Sequence, residues 1–340
     1  MQHKYYVDVK RPVFMTQWTI AGQLLPTSEI RLRPNIHMAP MTEDDAKELN
    51  DGMQVPRDLF KLPHPMWAML QPPKTEVRSS TRLQIDVNAD SEDDAILAAT
   101  KIADLLLLSL SMVVPGLRYY ADLKRVRQLG VPGERSAWSG PWGSVVYEAP
   151  KQLTVDYNER ALKIMTKVEE DVVAETAYTH LLSAWKLRDT LGAPLQRSIL
   201  QHYVLSFEAI TQGVMAVHRK SVAEKVRLEE RTFASEFAAS LTQRSDKPKA
   251  IRDASTKLRE ISLTNTLPAI AKTAEIIGLS EQAKERAVAL FRYRSTTLSH
   301  PGKKLDEAEA HAWIWGEDAS GLSPADETAR EFLQRYCEYV

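Results

Sequence analysis

The residues of this chain whose types and spacing suit chemistry are an arginine and a histidine six positions apart, Arg294 and His300. Ala283, Ala287, Leu290, Phe291 and Leu298 recur at steps of three and four, which predicts a helix from about Glu281 to Ser299 with one apolar stripe. Arg294 stands three residues after Phe291 and four before Leu298, so it lies on that stripe. Burying an unpaired guanidinium is costly, and a carboxylate, a phosphate or a cleft must receive it. Pro301 disfavours helical geometry in the residue before it, which puts His300 at the frayed end of the helix. An arginine and a histidine so placed supply a phosphate anchor and a proton-transfer group that titrates near neutral pH. The same residues also admit a structural arrangement, with Arg294 paired to a bundle carboxylate and His300 capping the last helical carbonyls.

Other chemistry has little support. The sequence contains no Gly-x-x-x-x-Gly-Lys-Ser/Thr, Gly-x-Gly-x-x-Gly, Gly-x-Ser-x-Gly or His-Glu-x-x-His. Readings as a P-loop ATPase, a dinucleotide-dependent dehydrogenase, an α/β-hydrolase or a zincin therefore lose their usual basis. Glu307 and His311 have i,i+4 spacing and read as a weak pair on a solvated helix face. His180 and His202 read as histidines packed at helix surfaces. The single cysteine, Cys337, excludes a disulfide framework and a Cys-rich zinc site. No metal site and no cofactor are expected.

The elements that must position Arg294 and His300 follow from proline. Thirteen of the 18 prolines fall in residues 1–150 and five in 151–340, so the first half is expected to be strands and loops and the second mostly helix. Tyr5–Val9, Gln17–Leu25, Glu29–His37 and Thr81–Asn88 read as strands. Residues 38–75 read as a long irregular excursion, and 130–150 as loop and a short strand. Ser91 followed by Glu92, Asp93 and Asp94 marks the start of a helix that runs to about Met112. Its core, Ala95 to Val114, is the most apolar stretch of the chain, but Lys101 and Asp104 within it fit a buried amphipathic helix better than a membrane span. The expected fold is thus an α+β domain over residues 1–152, an antiparallel sheet with one long helix, followed by an all-α bundle over 153–340. Helical patterns cover about 157–190, 195–217, 221–243, 248–278 (broken near Pro268), 280–299 and 324–339. The opening residues have no apolar core of signal-peptide type, and a cytoplasmic protein without membrane contact is expected.

Charge gives a mixed indication. The 44 basic and 45 acidic side chains leave a formal −1, against a surface built for broad, non-specific nucleic-acid binding. Residues 219–260 nevertheless hold 11 basic and seven acidic side chains, with Arg252, Lys257 and Arg259 in the second half. That stretch reads either as a patch that tracks an RNA backbone or as a solvated helix pair. Arg118, Tyr119, Tyr120, Lys124, Arg125 and Arg127 make a second basic cluster, with tyrosines on which unpaired bases can stack.

The stretch Leu290-Phe-Arg-Tyr-Arg-Ser-Thr-Thr-Leu-Ser-His-Pro-Gly302 resembles the motif helix of HEPN domains, Arg, four to six residues, then His, with a polar residue after the Arg, here Ser295. Tyr203-Val-Leu-Ser-Phe-Glu-Ala-Ile210 resembles the glutamate-bearing helix of Apea-like HEPN domains, with Glu208 at the matching position. Apea-like members commonly have four residues between the Arg and the His; this chain has five. The resemblance covers about residues 158–340 and implies a metal-independent endoribonuclease, of the kind found as prokaryotic toxins and antiphage effectors. It implies a homodimer through the helical domain, in which two Arg–His motifs share one cleft. Its partner would be RNA, whose own 2′-hydroxyl is the nucleophile. His300 would do the proton work, Arg294 would hold the phosphate, and Glu208 would orient one of them. Ser295, Thr297 and Ser299 would be secondary hydrogen-bonders or else purely structural, and Arg252, Lys257 and Arg259 would hold the substrate backbone. The N-terminal domain would sense a trigger or restrain the nuclease. The alternative is a non-catalytic HEPN module that binds nucleotides or RNA, or only dimerises, and a further one is a helical interaction protein in which the motif is accidental.

Overall fold

The computed structural model describes residues 11–21, 24–25, 28–45, 80–114, 120–131, 151–152, 154–191, 195–241, 246–262, 266–298, 305–316 and 323–339. The chain divides into two compact units, Met1–Met165 and Thr166–Val340. The expected strand Tyr5–Val9 and the Trp138–Gly143 segment lie outside the described residues, as does most of the 38–75 excursion.

The first unit is an antiparallel sheet with a long helix. Its strands are β1 (Val13–Ala21), β3 (Ile30–Arg33), β4 (Ile36–Pro40), β5 (Ser80–Asn88) and β6 (Tyr120–Gln128), in the order β3-β4-β5-β1-β6. A short parallel pair joins β2 (Leu24–Leu25) to β7 (Lys151–Gln152). Facing partners share a side of a sheet, and the register puts Trp18 opposite Leu83, Thr16 opposite Ile85, and Phe14 opposite Val87. Ile36 and Met38 extend that buried face on β4. Thr16 is polar on an apolar face and is satisfied twice: its Oγ1 donates to the Ile85 carbonyl and accepts from the Trp18 indole N–H, both at 2.9 Å.

Two expectations for this unit are revised. Glu29–His37 is not one strand: the chain reverses at Pro34-Asn35 and pairs β3 with β4. The basic stretch after Tyr119 is β6, and Arg125 within it is buried. The helix α1 (Glu92–Val113) begins as expected, with the Ser91 hydroxyl accepting from the Asp94 amide. It packs across β5, β6 and β1, and every residue from Leu105 to Val113 is buried. The helix is long and apolar enough to cross a membrane, yet two thirds of its most apolar window is buried within the protein.

The second unit is helical. Helix α2 (Val155–Glu170) spans the division between the units, and α3 (Val172–Leu191) follows at once. The expected single helix over 157–190 is split because the Asp171 carboxylate accepts from the amides of Val173 and Ala174, capping a new start. Then come α4 (Gln196–Ser221), α5 (Ala223–Leu241), α6 (Lys247–Ile261), α7 (Thr266–Ile276) and α8 (Glu281–Tyr293). A π-helical turn covers Arg294–Leu298, followed by α9 (Glu307–Trp315) and α10 (Pro324–Tyr339). The most extensive helix–helix contact is α3 on α4, and α10 packs on both. Gly213 of α4 permits the close approach, since a Cβ there would sit 2.6 Å from a methyl of Val173 on α3. Tyr203, Val204, Phe207 and Ile210 face inward from α4, with the Phe207 ring against Phe332 of α10.

A buried ionic cluster fastens the three helices. Asp326 on α10 accepts from the Trp185 indole at 2.6 Å, and its other oxygen lies 3.6 Å from Arg188 and 3.1 Å from Arg330. Arg188 also donates to the Tyr203 hydroxyl at 3.2 Å. The Asp326 and Arg188 side chains are only 3% and 1% exposed, so removing the carboxylate leaves two guanidinium groups without their counter-ion away from water. Replacing Asp326 by Ala is expected to cost about 3–5 kcal/mol in urea unfolding. A loss below about 1 kcal/mol, the level of an exposed pair, would show that the cluster does not fasten the bundle.

Candidate functional site

The motif segment leaves α8 in register with the stripe read from the sequence. Ala283, Ala287, Leu290, Phe291 and Leu298 are all buried. Ser280 caps the helix start by accepting from the Ala283 amide. The helix does not continue regularly to its end. Over Arg294–Leu298 it widens to a π turn, a local irregularity that recurs at functional sites. Ser295 and Thr296 lie in the turn and donate their hydroxyls back to the carbonyls of Phe291 and Arg292, both at 2.9 Å. Back-bonding of this kind competes with regular helical register.

Arg294 finds a carboxylate. Its Nη1 lies 3.2 Å from Oε1 of Glu208 on α4, and its guanidinium sits over the Phe291 ring, 5.6 Å from the centroid. The exposures of the two partners differ: 12% for the Glu208 side chain and 27% for that of Arg294. Water reaches the cation, and the carboxylate is mostly shut away. Burial pushes the Glu208 carboxyl above its ordinary value of 4.5, against the opposing pull of the Arg294 charge and hydrogen bond.

A second residue of α4 holds the same segment. Arg197 donates from Nη1 to the Leu298 carbonyl at 2.7 Å, and the Thr297 carbonyl lies 3.5 Å from the same nitrogen. These carbonyls end the turn, where helical partners run out. Arg197 and Glu208 are 11 residues apart, close to three whole helical turns, so one face of α4 presents both to the motif. No sequence pattern singles out Arg197. Its partner is a backbone carbonyl 101 residues away, and no motif encodes that.

The remaining candidates are distributed as follows. Ser295 is turned to its own helix by the bond to Phe291. Thr297 is partly exposed, its hydroxyl 3.5 Å from that of Thr296. Ser299 and His300 lie outside the described residues. Arg252, Lys257 and Arg259 are exposed on α6, whose principal packing partner is α5 and not the motif turn. No residue of α5 is buried, so the two helices form a hairpin with a largely solvated surface. Tyr119 lies outside the described residues. Among the described residues no group of three or more His, Cys, Asp and Glu side chains gathers as a metal centre. Compared with family models, curated proteins and solved structures, the chain gives no significant match.

The raised Glu208 carboxyl makes stability depend on pH with a definite sign. Between its unfolded value and the higher folded one, the native state holds more proton than the unfolded chain, so stability falls as pH rises through that window. Glu208→Gln keeps an oxygen acceptor for Arg294 and removes the titration. Its thermal midpoint, relative to wild type, is expected to climb as pH rises upward from 4.5. A difference that stays flat or falls would show that burial does not control this carboxyl. Arg294→Ala leaves the carboxylate without its cation and is expected to cost about 1–3 kcal/mol in urea unfolding at neutral pH.

Proposed function

We propose that this chain is a HEPN-type endoribonuclease of the cytoplasm that cleaves RNA without a catalytic metal, at a cleft where two copies bring their motif turns together. The observation that carries the reading is the meeting of Arg294 with Glu208 at an irregular turn that ends two residues before His300 in the sequence. A guanidinium has five donors in a planar fork, so Glu208 can fix its orientation while another edge takes a phosphate oxygen. Its position at the edge of the core suits this, since a phosphate can approach from solvent. Arg197 would act as a positioning residue, holding the Leu298 carbonyl at the end of the motif turn.

In this reading His300 removes the 2′-hydroxyl proton or donates one to the departing 5′-oxygen, and its counterpart from the second copy does the complementary transfer. Arg294 holds the phosphate and the extra charge of the phosphorane. Glu208 orients Arg294 and bonds to no reacting atom. The exposed basic side chains Arg252, Lys257 and Arg259 would track the backbone away from the cleft. The N-terminal sheet domain would receive a trigger or restrain the nuclease, in the manner of a toxin or antiphage effector.

A second reading draws on the same ion pair. Arg294 is already matched by Glu208 within the chain, which is what a structural arginine needs. On this view the helical unit is a non-catalytic HEPN module that binds RNA or nucleotides, or only dimerises.

The two are separated by incubating the full-length protein with mixed RNA, with and without EDTA, beside Arg294→Ala and His300→Ala. The nuclease reading expects products with 2′,3′-cyclic phosphate ends, no effect of EDTA, and a loss of about 100-fold or more in each variant. Equal cleavage in all three proteins would remove the site assignment. RNA retention without cleavage by wild type would establish the binding module instead.

A further inference from the structure

On the α4 face that meets α3, His202 and His180 of α3 point their rings at each other. The two Nδ1 atoms are 3.2 Å apart, the ring centroids 5.4 Å, and the planes tilt by 43°. We propose that His180 and His202 form a two-histidine site for a divalent late-transition-metal ion, Zn2+ or Cu2+, clamped between α3 and α4. The proposal is independent of the nuclease reading, since neither histidine belongs to the motif.

The spacing is the first support. Zinc–imidazole bonds of about 2.0–2.1 Å at a tetrahedral angle place the two nitrogens about 3.3 Å apart, and a square-planar angle places them about 2.9 Å apart. The observed separation lies between these, so the backbones need not move to admit an ion. The rings face nearly head-on, the geometry of one Nδ1–H donating to the other Nδ1. Binding requires that proton to leave and both lone pairs to swing toward a common point. The torsion that turns an imidazole is broad and soft, so this is a small rearrangement.

The second support is the frame. The two rings stand on the most extensive helix–helix contact of the unit, with Ser206 bonded to the Ala177 carbonyl at 2.8 Å next to them. A rigid pair of helices holds the ligands at the correct separation before the ion arrives. The rings are half-buried, which leaves one side open for entry. Among the described residues no further His, Cys, Asp or Glu completes a cluster of three, so water fills the other positions and the affinity is modest. Of the two, Cu2+ should bind more tightly than Zn2+.

The test uses the full-length protein stripped with chelator and then titrated with Zn2+ or Cu2+. One ion per chain should bind at this pair, and the thermal midpoint should rise by about 3–6 °C when the free metal stands near ten times its Kd. His180→Gln and His202→Gln should each abolish the rise, while His218→Ala, on the exposed end of α4, should retain it. Circular dichroism of the metal-free variants verifies their fold. The Cu2+ electron paramagnetic resonance spectrum of wild type needs no variant and should show two imidazole nitrogens. An unchanged rise in both glutamine variants, no binding by wild type, or a copper spectrum with fewer than two nitrogens would overturn the site and leave the pair as a structural hydrogen bond.

Discussion

A guanidinium carried on the core-facing stripe of a helix cannot enter a dry bundle alone, and this constraint shapes the second half of the molecule. Arg294 must meet an anion, and the anion must come from a helix that is itself fixed. Glu208 supplies it from α4, the helix against which α3, α10 and α7 all pack. The motif segment is then held at two points on one face of α4, by Glu208 at its start and by Arg197 at its end. Between those points the helix departs from regular register, and the hydroxyls of Ser295 and Thr296 satisfy carbonyls inside the turn. The geometry of the turn is thus set by contacts from a different helix.

The same chemistry occurs twice in this unit, in two different settings. Asp326 also sits between arginines, but it and Arg188 are almost wholly withdrawn from water, and the Trp185 indole donates to the carboxylate. The cluster joins α3, α4 and α10. The Arg294–Glu208 pair is asymmetric. The acid is buried, and the base reaches toward solvent. Burial pushes the acid toward its protonated form, and the arginine opposes that shift without cancelling it.

Much of this was legible in the sequence because it rests on local rules. The stripe of Ala283, Ala287, Leu290, Phe291 and Leu298 located the motif helix and put Arg294 on its inner face. Ser91 and the three acids after it located α1, and the scarcity of proline after residue 150 marked the helical half. What escaped depends on contacts distant in sequence or on small local signals. The split at Asp171 turns on one side chain accepting two amides, within a stretch whose periodicity is helical throughout. Strand β6 was hidden because Lys124, Arg125 and Arg127 read as a surface cluster, whereas Arg125 is buried within the sheet. The π turn has no residue code, and the Arg197 bond joins positions 101 apart.

Helix α4 connects these observations, and its sequence shows how one helix serves two tasks. At 100° per residue, Arg197 and Glu208 fall on nearly the same azimuth. His202, Ser206 and Gly213 gather on nearly the opposite one, where they meet His180, Ala177 and Val173 of α3. Tyr203, Phe207 and Ile210 lie to one side of that line and enter the core. Polar residues on two faces that are both covered need partners there, because burying them unpaired is costly. They are stabilised here because α3 closes one face and the motif turn closes the other. The residues that bind the motif and those that join the two histidines are therefore not separate additions to a generic bundle. They are the two polar seams of one central helix, and the apolar remainder of α4 fixes the angle between them.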